Sequence, residues 1–553
     1  MLIRFLLRRF SRIHRPQVAL EWVILVSCVW FAAVCNSTFW HEAMTIHPGG
    51  TVFAVSVFIV LVSVHALLLA LIAWRWNAKS VLAVLFVVTA FVVHYMEEFH
   101  IYMDPDMIRN VLHTDRKESR ELISLQLLLP LSVYAGIPLC FLGWIRLRQR
   151  SVFQAAFIRL GFIAAIGCVC VGAVFVSSQD IAAMARNHRQ IRYLATPINY
   201  IVSIARALKS DIPHVRQTKL PLEHDATVTS RLAGRPPRLL VIILGETARA
   251  QNWGLNGYSR QTTPRLAQRA DVINFPDMHA CGTSTEVSVP CLFSPYGRHH
   301  YDASAIAAHQ SLLHVLEHAG IRTLWRDNQS GCKGVCDGLA FEHLDDAKDP
   351  SLCHDGRCVD EILLHDLRAQ VRAKPGDRVV VLHQIGSHGP NYFERYPRPF
   401  TRYTPLCQTG DLGTCTPQQI VNAFDNTITY TDTVIAKTID QLQSMPEYDT
   451  ALIYFSDHGE SLGEKGLYLH GMPYAIAPTE QTHIPMVMWF SNSFATHRGL
   501  DLACVRKRAQ TSLDHDLVFP SVLNLMEVST AVYDRHWDAF ADCVHPVAQS
   551  PQP

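Results

Sequence analysis

Charge of one sign is what this chain lacks most plainly. Its 49 Lys and Arg face 48 Asp and Glu, for a net charge of +1. No stretch of the second half strings Lys and Arg along a helix with aromatics between them. That pattern argues against a nucleic-acid partner, which needs a basic footprint. No C-x-x-C pair occurs among the 15 cysteines, which argues against a zinc-thiolate ribbon. Long apolar runs are also missing beyond about residue 176, whereas they dominate everything before it. A mean hydropathy of +0.11 therefore averages two unlike halves, and 553 residues are too many for one ordinary domain.

The apolar half contains five stretches long enough for a bilayer core of about 20 helical residues: roughly 20–40, 51–74, 80–96, 123–145 and 155–177. Four further runs follow the first, so it does not read as a cleaved signal peptide. Arg4, Arg8, Arg9, Arg12 and Arg15 precede the first run, Arg75 and Lys79 fill the second loop, and Arg146, Arg148 and Arg150 fill the fourth. The first loop, His41 to Gly50, has no Lys or Arg. The positive-inside rule then puts the N-terminus in the cytoplasm and, after five spans, the C-terminal half outside. The third loop runs against this pattern with Arg109, Arg116, Lys117 and Arg120. In the same loop Asn110, Thr114 and Glu118 recur every four residues, which lines them along one helix face. That strip reads either as a solvated face or as a headgroup-binding surface.

Cysteine usage agrees with this orientation. Cys28, Cys35, Cys140, Cys168 and Cys170 lie in or beside apolar runs and read as small hydrophobes. The other ten come in near neighbours after residue 280: Cys281 and Cys291, Cys332 and Cys336, Cys353 and Cys358, Cys407 and Cys415, then Cys504 and Cys543. An even set of this kind fits disulfides formed in an oxidising compartment. Spacing leaves the connectivity open, with sequential pairing the expected arrangement.

The domain boundaries expected from these patterns are a five-helix membrane domain over 1–177, a bridge of interfacial helices and linker over 178–237, and a catalytic domain over 238–553. In the last, "RLLVIILGE" (238–246), "RVVVLHQIGSHG" (378–389) and "TALIYFSDHGE" (450–460) are apolar runs with polar ends. "IPMVMWFS" (484–491) has the run without that end. Continuous apolar strands suit a sheet buried on both faces. Helical patterns at 305–319 and 419–443 alternate with them, which predicts an α/β/α domain with a mainly parallel sheet. Ligands bind such sheets at strand carboxyl ends, where Glu246, His388, Asp457 and His458 stand. Carboxylate and imidazole together suit a divalent metal. "CGTSTEVSVPCLFS" offers Thr283, Ser284, Thr285 and Ser288 as hydroxyls, readable as a helix N-cap or as a nucleophile at a helix N-terminus.

The ordered motifs "GETARAQNWGLNGYSR", "CGTSTEVSVPC", "DNQSGCKGVCD", "GSHGPNYFERYP" and "SDHGESLGEKGLYLHG" resemble the lipid A phosphoethanolamine transferases, including the mobile colistin-resistance enzymes, of the alkaline phosphatase/sulfatase superfamily. The resemblance implies that Thr285 is the nucleophile and that Glu246, Asp457 and His458, with Thr285, bind zinc. It implies one tightly bound Zn²⁺, with room for a second. His388 and His470 would contact the phosphoryl group, assist the leaving group or bind a second zinc, Lys333 would hold substrate phosphate, and Asn110, Thr114 and Glu118 would bind the headgroup. The implied donor is phosphatidylethanolamine, the acceptor lipid A, and the location the inner membrane of a Gram-negative bacterium with a periplasmic catalytic domain. The same chemistry on core heptose or Kdo, or on protein, is the nearest alternative. A membrane-anchored binding protein is a further one, but would be expected to have lost a ligand or the nucleophile. The sulfatase signature C/S-x-P-x-R is missing, and Asp337 and Gly338 follow Cys336 where the family often has an Arg.

Overall fold

The computed structural model describes residues 15–47, 50–114, 116–211, 219–229, 235–345, 347–354 and 356–545. Arg4, Arg8, Arg9 and Arg12 of the basic N-terminal arm lie outside these residues. The chain divides into two compact units, Met1–Ile108 with Ile123–Arg206, and Arg109–Leu122 with Ala207–Pro553.

In the first unit, among the described residues, four helical stretches are long and apolar enough to cross a membrane: Thr51–Ile72, Ala78–Phe99, Leu125–Trp144 and Val152–Val176. The expected span over 20–40 is not one straight helix. Leu20–Val34 and Ser37–Ile46 meet at a 60° bend, and count as a fifth span only if the bent pair is taken as one. Asn36 causes the break. Its side chain donates to Phe31 O and Thr196 O, both at 2.8 Å, and accepts from Thr196 N at 2.9 Å. A buried amide gains more from those partners than from continuing an apolar helix. Leu125–Trp144 is helical despite Pro130 and Pro138 because Leu131–Gly136 widens into a π-turn, a common way to accommodate a proline's missing N–H. Arg159, inside the last span, donates to the carbonyls of Ala70 and Ala73 at 2.8 and 3.0 Å, so its charge meets protein acceptors instead of lipid.

The second unit is built on an eight-stranded sheet. Its strands are β1 (Arg238–Gly245), β2 (Ile273–His279), β3 (Arg322–Asp327), β4 (Phe341–His343), β5 (Arg378–His383), β6 (Asp449–Ser456), β7 (His483–Phe490) and β8 (Leu513–Asp514). The spatial order is β8-β2-β7-β6-β1-β5-β3-β4. All neighbouring pairs are parallel except those that β7 makes with β6 and β2. Reversal of β7 explains why its run lacks a polar carboxyl end: that end lies at the opposite edge of the sheet. On β1, Leu240, Ile242 and Leu244 enter one core and Leu239, Val241 and Ile243 the other. Alternate residues thus feed opposite faces, which is why the run is apolar throughout.

Two further expectations need correction. The pattern at 305–319 forms two helices, Ala303–Ala308 and Leu312–His318. Ser311 and His314 make a capping box that starts the second helix and so ends the first. The run 378–389 leaves the sheet at His383, and 384–389 becomes a loop. The helix expected at 419–443 is Pro417–Gln443, opened by a Thr416/Gln419 capping box. Five disulfides join the late cysteines in chain order: 281–291, 332–336, 353–358, 407–415 and 504–543.

Candidate active site

β1 and β6 are adjacent and parallel, with Ser456 level with Gly245. The residues that follow each strand therefore emerge side by side: Glu246 from one, Asp457 and His458 from the other. Thr285 is the first residue of the helix Thr285–Leu292, capped by Ser284. Its hydroxyl donates to Glu246 Oε2 at 2.9 Å and lies 3.4 Å from His458 Nε2. His458 Nε2 is also 3.4 Å from Glu246 Oε1 and from Asp457 Oδ2. His458 Nδ1 meets the carbonyl of Gly459 at 2.9 Å. That bond assigns the proton to Nδ1 and turns the Nε2 lone pair toward the cluster.

This donor set fits a metal. Two oxygens of the cluster, Glu246 Oε1 and Asp457 Oδ2, are buried without a hydrogen-bond partner among the described residues. Buried carboxylate oxygens are rarely left so. Tetrahedral zinc with arms of about 2.1 Å has ligand–ligand edges of about 3.4 Å, the separation found three times around His458 Nε2. Glu246, His458 and His470 also each offer a ligand atom within 4.8 Å of the others.

Electrostatics tell the same story. Burial alone would raise the Glu246 carboxyl, but the hydrogen bond and charge of His458, with His388 and His470, hold it well below the usual range. Burial and the Glu246 charge push Asp457 up to about 7. Burial opposes a charged His458, yet Asp457 and Glu246 carry it up to about 10. A positive charge is wanted between the two carboxylates. His388 faces the opposite balance: burial pushes it down to about 3, leaving it neutral at pH 7.

The remaining expected residues group unevenly. The His470 ring lies 4.5 Å from that of His458 and 5.4 Å from that of His388, centroid to centroid. Lys333 Nζ donates to Ser330 Oγ at 2.8 Å and sits 3.5 Å from Glu286 Oε2. Thr114 Oγ1 donates to the Asn110 carbonyl at 2.7 Å. The side chain of Glu118 lies outside the described residues. From the same segment, Arg109 and His113 share a cavity wall with Lys333.

Several contributors carry no sequence signal of their own. Gln329 Nε2 donates to Glu246 Oε2 at 3.1 Å. Glu460 accepts from Tyr392 and meets His470 Nδ1, both at 2.7 Å. Glu286 meets His113 Nδ1 at 2.6 Å. Gln329, Glu460 and Glu286 sit inside the ordered motifs, so adjacency to motif residues was the available clue. Asp360 anchors the 384–389 loop by accepting from Ile385 N and Gly386 N at 2.8 and 3.0 Å. Gly386 has φ +51°, and a Cβ there would stand 2.6 Å from the Glu246 carbonyl. Gly386→Ala must therefore displace the backbone of a cluster carboxylate. A drop in transfer rate of about 10- to 100-fold is expected, the scale of changes just behind a metal ligand if Glu246 holds one. Steady-state turnover with zinc analysis of the purified variant checks this.

Comparison with known proteins is decisive about kinship. Residues 61–212 match the family model "Phosphoethanolamine transferase EptA/EptB", and 238–528 match the sulfatase model. Phosphoethanolamine transferase EptA of Salmonella typhimurium is 37% identical, with 97% of this chain and 99% of that one covered. The chain belongs to the EptA family of phosphoethanolamine transferases. Phosphatidylethanolamine transferase Mcr-1 of Escherichia coli is 32% identical over 94% of this chain and 98% of its own. The integral membrane lipooligosaccharide phosphoethanolamine transferase A (EptA) of Neisseria meningitidis matches with a TM-score of 0.91 at 36% identity, covering 96% of this chain and all of that one. Like its EptA relatives, this transferase is an integral membrane protein with N-terminal spans and a periplasmic catalytic domain.

Proposed function

We propose that this EptA-family enzyme moves phosphoethanolamine from phosphatidylethanolamine to a phosphate of lipid A through a covalent adduct on Thr285. The observation that carries the reading is the convergence of the Thr285 hydroxyl, at a helix start, with Glu246, Asp457 and His458, at two strand ends, although Thr285 and His458 are 173 residues apart. Glu246, Thr285, Asp457 and His458 would hold Zn²⁺, which when bound offsets negative charge and favours an ionised hydroxyl.

Thr285 Oγ attacks the donor phosphorus, its hydroxyl proton leaves to water, a P–Oγ bond forms, and the bond to the diacylglycerol oxygen breaks. The leaving oxygen takes a proton from His470, whose Nδ1 partner Glu460 fixes its ring. His388, neutral at pH 7, presents its imidazole to the phosphoryl group. Lys333 balances phosphate charge, and Asn110, Thr114 and Glu118 hold the headgroup. A phosphate oxygen of the acceptor then attacks the same phosphorus, the P–Oγ bond breaks, Thr285 takes the proton that the acceptor's phosphate hydroxyl gives up, and His470 regains its own from water. Two half-reactions at one residue give ping-pong kinetics. The added ammonium offsets phosphate charge, so cells should resist cationic peptides such as polymyxin.

The phosphatidylethanolamine for which Mcr-1 is named and the lipooligosaccharide for which the Neisseria enzyme is named support this choice of donor and acceptor class. Mass spectrometry of lipid A from Gram-negative cells expressing the enzyme tests it. One added phosphoethanolamine per modified lipid A is expected. Product found only on core sugars or on protein would overturn the acceptor assignment.

A further inference from the structure

The segment Arg109–Leu122 lies between two membrane spans in the chain, yet it packs with the catalytic unit, while Ile108 and Ile123 on either side belong to the membrane unit. His113, Lys117 and Glu121 recur along it every four residues, each three residues past one of Asn110, Thr114 and Glu118. Each makes a polar contact with a different part of the catalytic unit. His113 Nδ1 meets Glu286 Oε1 at 2.6 Å, and Lys117 Nζ meets Asp345 Oδ2 at 2.5 Å. Those two side chains are 51% and 33% exposed, and water screens such pairs. Glu121 is the buried contact of the three, with 9% of its side chain exposed.

Glu121 grips Arg395, which is 1% exposed. Nη1 and Nη2 of Arg395 donate to Glu121 Oε1 and Oε2 at 3.3 and 2.5 Å. Its Nε donates to the His388 carbonyl at 2.7 Å. One planar guanidinium, rigid by its chemistry, therefore ties the loop between the spans to the peptide that follows His388. Arg357 Nη2 stands 2.6 Å from Glu121 Oε1, on a hairpin closed by the Cys353–Cys358 disulfide. The backbone fits closely as well: a Cβ on Gly410 would lie 2.9 Å from the Glu121 carbonyl. The residues before His388 are anchored separately. Asp360 accepts from Ile385 N and Gly386 N, and Ser387 N donates to the Glu246 carbonyl at 2.9 Å. Loss of the Glu121 charge would strand the buried Arg395 guanidinium and loosen its hold on the His388 carbonyl.

We infer that Glu121 is a positioning residue for the reaction: it locks Arg395, and Arg395 fixes His388 where its imidazole meets the phosphoryl group. This role rests on the two-step reading given above, in which His388 faces that group. Glu121 then governs the rate of phosphoryl transfer, whereas the neighbouring strip of Asn110, Thr114 and Glu118 governs headgroup binding.

The test uses monodisperse full-length enzyme in detergent micelles. Intact mass follows adduct formation over time at several concentrations of phosphatidylethanolamine, which gives a maximal rate and a half-saturating concentration. Glu121→Gln keeps the size and one acceptor without the charge. It should lower the maximal rate by about tenfold or more, the scale of a misplaced reacting group, and leave the half-saturating concentration within about twofold. Arg395→Lys cannot make both contacts and should lose rate to a similar degree. The double variant should be no slower than the slower single one, because coupled residues are not additive. In a His388→Ala background, Glu121→Gln should cost nothing further. Glu121→Asp, with the charge on a shorter arm, should recover part of the rate. A higher half-saturating concentration at an unchanged maximal rate would make Glu121 a loop anchor only and overturn the inference. So would a further loss in the His388→Ala background, or a loss of zinc in proportion to the loss of rate. Wild-type rates in both Glu121→Gln and Arg395→Lys would defeat this inference alone. A wild type that forms no adduct would instead defeat the covalent reading, and this inference with it.

Discussion

Thr285→Ala should lose transfer by on the order of 10⁴-fold or more, the scale seen when a covalent nucleophile is removed from other enzymes. In the proposed mechanism the phosphoryl unit joins the oxygen of this hydroxyl, and the hydroxyl one helical turn on cannot replace it. Ser288, one turn on, is buried and its Oγ is committed to the Asp457 carbonyl. Removing the hydroxyl deletes one hydrogen bond to Glu246, worth about 1 kcal/mol, so the variant should still fold and insert. Intact mass after incubation with phosphatidylethanolamine should show the adduct on wild type and none on Thr285→Ala. Thr285→Ser should keep both adduct and measurable turnover. An alanine variant that still modified lipid A would remove Thr285 from the nucleophile role.

Asp457→Asn should leave a folded enzyme with little zinc and a loss of activity of about 10³-fold or more. Asn keeps the acceptor Oδ1 that receives His458 N at 2.7 Å and Thr247 N at 3.3 Å. It neutralises Oδ2, the oxygen with no hydrogen bond of its own. Added zinc should raise the melting temperature of the wild type, since a ligand bound only by the folded state stabilises it by about RT ln(1 + [L]/Kd). That shift should be small or absent in Asp457→Asn. The pH dependence has a definite sign. With Asp457 raised to about 7 and His458 to about 10 in the metal-free site, protons compete with zinc for the same atoms. Zinc affinity should therefore fall steadily as pH drops below about 10, and more steeply below about 7. Zinc titrations of chelated protein at several pH values measure this, and equal zinc content in wild type and Asp457→Asn would refute the ligand assignment.

The amino-acid sequence determined much of this molecule by itself. Apolar runs of bilayer length locate the membrane-crossing helices, because a helix facing hydrocarbon needs an apolar surface sustained over about 20 residues. The runs at 238–246 and 450–460 locate two core strands, because residues buried on both faces need no polar alternation. The paired late cysteines mark an oxidising compartment, and the ordered motifs mark the transferase family, with Glu246, Thr285, Asp457 and His458 already named within them.

Only the tertiary structure decided how those pieces meet. Asn36 breaks the first apolar run because its partner is Thr196, a residue 160 positions away that no local pattern reveals. Ser311 divides the 305–319 pattern because its cap competes with the apolar period, and β7 reverses because its neighbours are set by packing across the sheet. Gln329 behind Glu246 and Glu460 behind His470 stand inside the ordered motifs with nothing to mark their roles, and Lys219 beside Gly334 stands outside them. Each gains its place from a contact made in space, and hydrogen bonds and charge pairs act over a few ångströms regardless of how far apart along the chain their partners lie.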